Sequence, residues 1–430
     1  MKYKYKPYPS YKDSWLEWLG DVPEHWDTSR LKFLCDITTG GKDTENKVDD
    51  GQYPFYVRSQ TVERINSYSY NGEAILTAGD GVGVGKVFHY TTGKFDFHQR
   101  VYMFYHFKRV AGRFLFEYIK NNFYKVALAG VAKSTVDSLR LPLIQNFMIT
   151  VPPLQEQQAI VNYLDSATAK IDILIEKQTK LIALLKEKRQ AVISTAVTRG
   201  LDNTVAMKDS EVEWLGEIPA HWEVKKLKFI AYAKPSNVDK KSKDGEKDVL
   251  LCNYTDVYYN DFITNDIEFM KATATNEQIK KFTLNVDDVI ITKDSEGPED
   301  IAIATCVKEV QDNLVCGYHL THIKPTKCNG RYLFRAFNSD GIHDQFKVAA
   351  NGITRYGIGV YGIDNSFFPA PPMKEQEEIA NYIDDKTSKI DTLISKASKA
   401  IELLKERRTA LISAVVTGKI DVREINMESA

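Results

Sequence analysis

Two segments of this 430-residue chain recur in the same order, and this internal repeat constrains the fold more than any other feature. Residues 12–34 align without gaps on residues 208–230 with 13 of 23 positions identical, and residues 152–202 align on residues 371–421 with 28 of 51 identical. The offsets are 196 and 219, so the material between the shared segments is 23 residues longer in the second copy. A duplicated frame around two unlike inserts suits a molecule that presents two different binding surfaces.

The repeat predicts four parts along the chain. They are a globular domain over residues 1–151, a helix over 152–202, a second globular domain over 203–370 and a second helix over 371–425. A chain of this length is expected to form roughly two to four domains. We therefore expect a pseudo-two-fold internal repeat of domain and helix.

Each shared helix opens with a Pro-Pro pair and continues without Gly or Pro to Gly200 or Gly418. Pro suits a first helical turn and Gly suits a helix end. Apolar residues spaced alternately four and three apart predict a heptad seam along each helix. The predicted seam positions are Ile160, Leu164, Ala167, Ile171, Leu174, Gln178, Leu181, Leu185, Lys188 and Val192, and then Ile379, Ile383, Lys386, Ile390, Leu393, Ala397, Ala400, Leu404, Arg407 and Leu411. Two matching stripes in one chain most simply form an antiparallel intramolecular coiled coil, and pairing between two chains is the alternative.

The regions between the shared segments, residues 35–150 and 231–370, mix short strands, turn signals and short helices. This mixture predicts an α+β fold for both. Residues 73–105 indicate a strand, a Gly-rich loop and a second strand, and residues 288–321 form a counterpart in the second copy. The chain is thus predicted to hold two globular α/β-mixed domains separated by two long helices.

Loops that carry a basic residue beside a small hydroxyl residue suit contact with DNA. Arg and Lys bond phosphate or the guanine edge, Ser and Thr bond either, and Gly permits close approach of the backbone. Loop position and chemistry together select the candidate DNA-binding residues Lys86, His98, Arg100, Lys133, Ser134, Lys293, His319, Arg355 and Tyr356. For His98 and His319 a packed or hydrogen-bonded structural role is the alternative.

Two short motifs, each present twice in alternating order, resemble a known family. The first, W-L-G-[DE]-[VI]-P-x-H-W, spans 18–26 and 214–222, and the second, P-P-x-x-E-Q, spans 152–157 and 371–376. Over the whole chain this pattern closely resembles the specificity subunits of Type I restriction-modification systems. The resemblance implies that the two inserts are target recognition domains, each of which reads one half of a bipartite, asymmetric DNA sequence, and that the antiparallel helices set the spacer.

The same resemblance implies partners and assigns the cofactors to them. Methyltransferase (modification) subunits, two copies in our expectation, bind the scaffold, and restriction endonuclease subunits join to cleave DNA. S-adenosylmethionine, ATP and magnesium are then expected on the partner subunits and none in this chain. Insertions between Lys177 and Leu185 are expected to alter the preferred spacer.

Several near matches to catalytic motifs fail. The segment DGVGVGK at 80–86 lacks the first Gly of a phosphate-binding loop and has Val87 where Ser or Thr would bind magnesium. Neither Pro-Pro pair sits in the Asn/Asp-Pro-Pro-Tyr/Phe motif of adenine methyltransferases, and His25 and His221 lie in a repeated packing motif. A non-catalytic subunit is therefore predicted; a scaffold that binds protein or glycan, and an enzyme with its own methyltransferase or nuclease, are the alternatives.

Composition limits how this chain could bind DNA. Fifty-seven Lys and Arg residues against 58 Asp and Glu residues give a net charge of −1, so positive charge must be local or supplied by a partner. The five cysteines form no Cys-x-x-Cys pair and are expected to be reduced thiols. With no apolar run of membrane-spanning length, the chain is expected in the cytoplasm.

Overall fold

The computed structural model describes residues 6–127 and 139–425. It divides into two compact units, Met1–Thr179 with Ser398–Ala430, and Lys180–Ala397. Each unit contains one of the predicted globular domains together with a part of each long helix.

The first unit builds two four-stranded sheets and two short strand pairs. One sheet is antiparallel with the order β4-β11-β8-β9, and the other has the order β6-β5-β10-β7, in which β5 and β10 are parallel. The pairs are β1 with β2 and β12 with β3. The strands are β1 (Tyr11–Asp13), β2 (Asp21–Pro23), β3 (Asp27–Arg30), β4 (Asp36–Thr39), β5 (Tyr53–Tyr56), β6 (Glu63–Ile65), β7 (Tyr70–Asn71), β8 (Ala74–Ala78), β9 (Phe88–Thr91), β10 (Lys94–Phe97), β11 (Val101–Tyr105) and β12 (Met148–Val151).

Over its described residues, the first unit contains three short helices and the beginning of the first long helix. They are α1 (Gly112–Asn122), α2 (Tyr124–Ala127), α3 (Leu141–Gln145) and the long α4 (Leu154–Arg199), which continues into the second unit. Ile75 and Phe104 of the sheet share one apolar core with Phe114 of α1 and Ile160 of α4. The globular domain is therefore anchored on the helix by continuous apolar packing, the main source of its stability.

The second unit repeats this plan with longer inserts. Its sheets have the orders β16-β24-β20-β22-β18 and β19-β17-β23, and its strand pairs are β13 with β14, β15 with β26 and β21 with β25. The strands are β13 (Met207–Asp209), β14 (Glu217–Pro219), β15 (Glu223–Lys226), β16 (Ala231–Pro235), β17 (Lys247–Cys252), β18 (Phe262–Ile263), β19 (Met270–Ala274), β20 (Val289–Thr292), β21 (Asp294–Ser295), β22 (Ala304–Val307), β23 (Leu314–Cys316), β24 (Leu320–Pro325), β25 (Tyr356–Gly357) and β26 (Phe367–Ala370). The helices are α5 (Tyr254–Tyr258), α6 (Asn276–Phe282), α7 (Gly330–Phe337), α8 (Asp340–Ala349), α9 (Val360–Asp364) and the long α10 (Met373–Val416), which continues into the first unit.

The divergent inserts share a fold although their sequences differ. The order β4-β11-β8-β9 matches β16-β24-β20-β22, and β6-β5-β10 matches β19-β17-β23, including the parallel pairs β5–β10 and β17–β23. The internal repeat therefore extends from the shared segments into both globular domains.

One predicted strand is divided in each copy. Residues 94–105 form β10 and β11, which belong to different sheets, and the chain turns between them at residues 98–100. Likewise β23 and β24 are separated by a turn at residues 317–319, where His319 adopts a left-handed backbone with φ 71°. These two turns carry Arg100 and His319 to the places where the sheets meet.

The long helices begin and end close to the predicted residues. Helices α4 and α10 start directly after the Pro-Pro pairs, and Gly200 and Gly418 follow their ends with φ values of 74° and 75°. Only Gly adopts this left-handed conformation without strain, which explains why the helices stop there.

The apolar seam of both helices keeps the predicted seven-residue period, but one of its two series of positions is shifted by one residue. The buried or partly buried seam residues are Leu164, Thr168, Ile171, Ile175, Gln178, Ile182, Leu185, Arg189, Val192 and Ala196 in α4 and Ile383, Thr387, Ile390, Ile394, Ala397, Ile401, Leu404, Arg408, Leu411 and Val415 in α10. The predicted positions Leu174, Leu181 and Leu393 belong to the shifted series and are wrong, since they are 46, 43 and 50% exposed. Spacings of alternately four and three residues average about 3.5 residues per turn, the period of a left-handed coiled coil.

Within each unit the two long helices pair in opposite directions. In the first unit Arg408 Nε donates to Asp172 Oδ1 at 2.9 Å, and in the second Arg189 Nε donates to Asp391 Oδ1 at 3.0 Å. The paired residue numbers fall along α10 as they rise along α4, which confirms an antiparallel intramolecular coiled coil. None of the helices in the described ranges is long and apolar enough to cross a membrane.

Candidate nucleic-acid interface

A buried carboxylate holds two arginines at the end of β8 in the first unit. Arg58 Nη1 donates to Asp80 Oδ1 at 2.9 Å, and Arg100 Nη1 donates to Asp80 Oδ2 at 2.5 Å. The Asp80 side chain is 10% exposed, whereas those of Arg58 and Arg100 are 44 and 62% exposed. We call these three residues the first cluster.

The first cluster carries a net positive charge. Burial alone would raise the pKa of Asp80, but the hydrogen bonds from Arg100 and Arg58 outweigh it and hold the pKa below its ordinary value. Hydrogen bonding to Asp80 likewise raises the pKa of Arg100. One ionised carboxylate between two guanidinium groups leaves one positive charge at the surface, which favours contact with an anion.

A second cluster forms around Asp294 in the second unit. Arg355 Nη2 donates to Asp294 Oδ1 at 2.6 Å, and His319 Nδ1 lies 2.7 Å from the same oxygen. The Asp294 side chain is 18% exposed and that of Arg355 is 57% exposed. Pairing of β21 with β25 brings Arg355 to Asp294, because Asp294 lies opposite Gly357.

The two clusters occupy equivalent places in the two domains. Asp80 and Asp294 follow the equivalent strands β8 and β20, and Arg100 and His319 lie in the equivalent turns before β11 and β24. The residue types at these places nevertheless differ, with two arginines in one cluster and an arginine with a histidine in the other.

The remaining candidates lie around these clusters. Lys86 is exposed in the turn after the Gly-rich loop, where its N–H donates to the carbonyl oxygen of Gly83. Lys293 Nζ lies 4.5 Å from the centre of the Tyr318 ring, and Tyr356 pairs with Ser295 in β25.

The structure thus brings together Lys293, His319, Arg355 and Tyr356 in the second unit. Lys133 and Ser134 lie outside the described residues.

His98 is placed differently from the other candidates. Its side chain is buried, and Nδ1 accepts a hydrogen bond of 2.9 Å from the Arg100 N–H. Burial lowers the pKa of His98, which favours the neutral ring needed for this bond. This geometry favours the structural role, in which His98 shapes the turn that presents Arg100.

Sequence reasoning missed Arg58, Asp80 and Asp294 as members of these clusters. Asp80 was considered only as part of a failed phosphate loop, although an acid shortly after a buried strand occurs in both copies. Arg58 lies 22 residues before Asp80, and no local pattern links the two.

The two repeated motifs meet at one carboxylate in each unit, which is buried in the first unit and partly exposed in the second. Glu156 of the second motif accepts hydrogen bonds from Trp26 Nε1 at 3.0 Å and Tyr8 Oη at 2.6 Å, and His25 Nε2 lies 2.8 Å from it. In the second unit Glu375 accepts from Trp222 Nε1 at 2.8 Å and lies 2.8 Å from His221 Nε2.

The neighbouring glutamines complete this joint. Gln157 Oε1 accepts from the Ala111 N–H at 2.7 Å, and Gln376 Oε1 accepts from the Asn329 N–H at 2.8 Å. These motifs therefore attach each globular domain to the start of a long helix. In the described ranges no group of three or more His, Cys, Asp or Glu side chains is placed to hold a metal ion.

Comparisons with known proteins agree with this architecture. The family described as the Type I restriction modification DNA specificity domain matches residues 23–183 and again residues 219–403. The chain is 23% identical to the Type I restriction enzyme EcoDI specificity subunit of Escherichia coli over 93% of this chain and 90% of that one. It is also 23% identical to the MjaVIII specificity subunit of Methanocaldococcus jannaschii over 94% of this chain and 95% of the relative.

Solved structures share the fold. A chain from work on the complex assembly and conformational transition of the type I R-M system aligns with a TM-score of 0.70 at 13% identity, over 93% of this chain and 99% of that one. The HsdS subunit from Thermoanaerobacter tengcongensis aligns with a TM-score of 0.52 at 14% identity, over 93% and 98%. The chain belongs to the family of Type I restriction-modification specificity subunits, the non-catalytic subunits that recognise the DNA target in these systems.

Proposed function

We propose that this subunit reads a bipartite, asymmetric DNA target, with residues 1–151 reading one half and residues 203–370 reading the other. The observation that carries this proposal is the pair of cation clusters at equivalent places in two domains of the same fold. Two anion-binding surfaces on a duplicated frame suit two contacts with one duplex.

The two halves of the target are expected to differ in sequence. The first cluster offers two arginine side chains, whereas the second offers one arginine and one histidine. Because hydrogen-bond donors at base edges decide which bases are bound, unlike clusters select unlike bases. Lys86, Arg100, Lys293, His319, Arg355 and Tyr356 are the described candidates for these contacts, and His98 supports Arg100.

Exposed leucines on the long helices support the recruitment of two identical partners. In the first unit Leu174 of α4 and Leu403 of α10 are exposed, and in the second Leu393 of α10 and Leu184 of α4 occupy the matching positions of the repeat. Exposed apolar side chains on a repeated frame fit one methyltransferase subunit per unit. Restriction endonuclease subunits join this complex, and S-adenosylmethionine, ATP and magnesium are bound by the partners.

Methylation mapping of the host genome tests the bipartite target. The expected result is a methylated motif with two unlike halves and a fixed gap, and exchange of residues 35–150 for another insert is expected to change only one half. A continuous motif or a palindrome would contradict the proposal. With a net charge of −1, the chain alone is expected to bind duplex DNA weakly and to bind it tightly, in a salt-dependent way, with the methyltransferase.

A further inference from the structure

We propose that Asp80 and Asp294 are positioning residues that hold the neighbouring cations in the orientation needed to read base edges, and that Arg58 is a specificity-determining residue. This inference rests on the proposed function and names the side chains that carry out recognition in each half. Arg58 and Arg100 form the reading pair of the first domain, and Arg355 is the principal reader of the second.

The burial of each acid beneath exposed cations is the first observation. The Asp80 carboxylate is nearly inaccessible, and both of its oxygens are used by guanidinium groups that are about half exposed. Among the described residues, Arg58 and Arg100 each direct one side-chain nitrogen to Asp80 and make no other side-chain hydrogen bond. The remaining N–H groups of both guanidinium groups are therefore available to a ligand.

The negative charge of Asp80 and Asp294 is the second observation. A carboxylate near a DNA surface repels phosphate, so it weakens binding unless it has another effect. Asp80 and Asp294 occur at equivalent places in two domains whose sequences differ, and each contacts the side chain that the turn before the matching strand presents, Arg100 in one domain and His319 in the other. When the acid holds a guanidinium group in one orientation, the arginine loses rotamer freedom before DNA binds. This favours a contact with DNA of defined geometry over a non-specific electrostatic contact.

The chemistry of arginine identifies the ligand. A fixed guanidinium fork matches guanine O6 and N7 in the major groove, whereas contact with phosphate requires no fixed orientation. We therefore assign guanine edges as the targets of Arg58 with Arg100 in the first half-site and of Arg355 in the second.

The test uses the full-length chain co-purified with its methyltransferase subunit and duplexes that carry the mapped methylation motif. Asp80→Asn keeps the shape of the side chain but removes its charge. We expect the ratio of specific to non-specific affinity to fall about 5- to 150-fold, while affinity for unrelated DNA stays equal or rises. Asp27→Asn is the matched control, because Asp27 also pairs with an arginine, Arg109, but both side chains are exposed.

Two further measurements separate base reading from phosphate contact. Arg58→Lys keeps the charge and loses the fork, so we expect discrimination to fall for the first half-site only. Replacing the contacted guanine by 7-deazaguanine removes the N7 acceptor, and this should weaken the wild-type complex but not the Arg58→Ala, Arg100→Ala double variant, which has no donor left for N7.

The results that would overturn this inference differ from the result that would contradict the proposed function. If Asp80→Asn increases the affinity for specific and for unrelated DNA by the same factor, Asp80 only reduces the positive charge of the surface and the inference is overturned. Full discrimination by Arg58→Lys would overturn it as well. In both cases the chain still recognises its DNA target. If the wild-type complex has no sequence preference at all, the proposed function itself is wrong.

Discussion

At the scale of single residues, Glu156 and Glu375 hold the same place in the repeat with different surroundings. Glu156 is buried and accepts from Tyr8 and Trp26, whereas Glu375 is partly exposed and accepts from Trp222. Glu156→Ala leaves two buried donors unpaired, so we expect it to lower the free energy of opening of its unit by about 2–4 kcal/mol, against about 1 kcal/mol for Glu375→Ala. Hydrogen-exchange protection of the helix starts measures both, and an equal loss in the two variants would contradict this explanation.

Residues differ in how far their roles can be predicted from sequence. Arg100 and Arg355 were selected as candidates from loop position and chemistry, which are local signals, and their contact with DNA stays a prediction. Arg58 was missed because its partner Asp80 is distant along the chain and the contact depends on the fold of the domain. His98 shows the opposite difficulty, since burial decides its role and burial cannot be read from a loop sequence.

At the scale of elements, the junction of α7 with α10 is held by ion pairs in the second unit. Arg335 is almost fully buried; its Nη2 donates to Asp384 Oδ1 at 2.7 Å and its Nη1 to Asp261 Oδ2 at 2.7 Å. The equivalent residue of the first unit is Glu117, whose pKa is raised by burial. Removing one partner of a buried pair costs about 3–5 kcal/mol, so Asp384→Ala is expected to destabilise the second unit and leave the first unchanged.

The ion pairs of this junction predict that the second unit loses stability at low pH. Burial alone would raise the pKa of Asp261, but Arg335 and Arg189 outweigh it and hold the pKa below its ordinary value. Since the folded pKa lies below the unfolded value of about 3.9, this stabilisation is complete above that pH and is lost as the pH falls through the folded pKa. We expect protection factors in α7 to fall as the pH drops below about 3.9 in the wild type and to fall less in Asp261→Asn, with the exposed Asp266→Asn as control.

The exposed leucines give a prediction about the helices themselves. Leu174→Glu and Leu393→Glu change equivalent exposed positions, so we expect the coiled coil to stay folded while each variant loses one of two methyltransferase subunits. Native mass spectrometry of the complexes counts the subunits, and Val48→Glu, an exposed change away from the helices, should lose none. Retention of both subunits by the double variant would show that the partner binds elsewhere.

At the scale of the whole molecule, the repeat made the architecture predictable and the packing detail less so. Two copies of a frame with helical periodicity predicted paired helices and two domains, because each stripe needs a partner to bury it. The seven-residue period was predicted correctly, but one series of seam positions was placed one residue early, because Leu174 fits the sequence pattern as well as Ile175 does and only the structure shows that Leu174 faces solvent. β5 pairs with β10 and β17 pairs with β23 although these strands are distant in sequence, and no local sequence pattern predicts such pairing.

The seven-residue seam allows a specific test of whether the helices set the spacer of the target. An extra seven residues between Lys177 and Leu185, with the matching insertion in α10, keep every seam position on its face and add about 10 Å to the helix pair. We expect the mapped motif to keep both halves while its gap widens by at most about 3 base pairs, given a rise of about 3.4 Å per base pair. The same seven residues placed in the exposed linker after Asp202 should leave the gap unchanged. If the lengthened helices still direct methylation to the original gap, the flexibility of the domains and not the length of the helices determines the spacing.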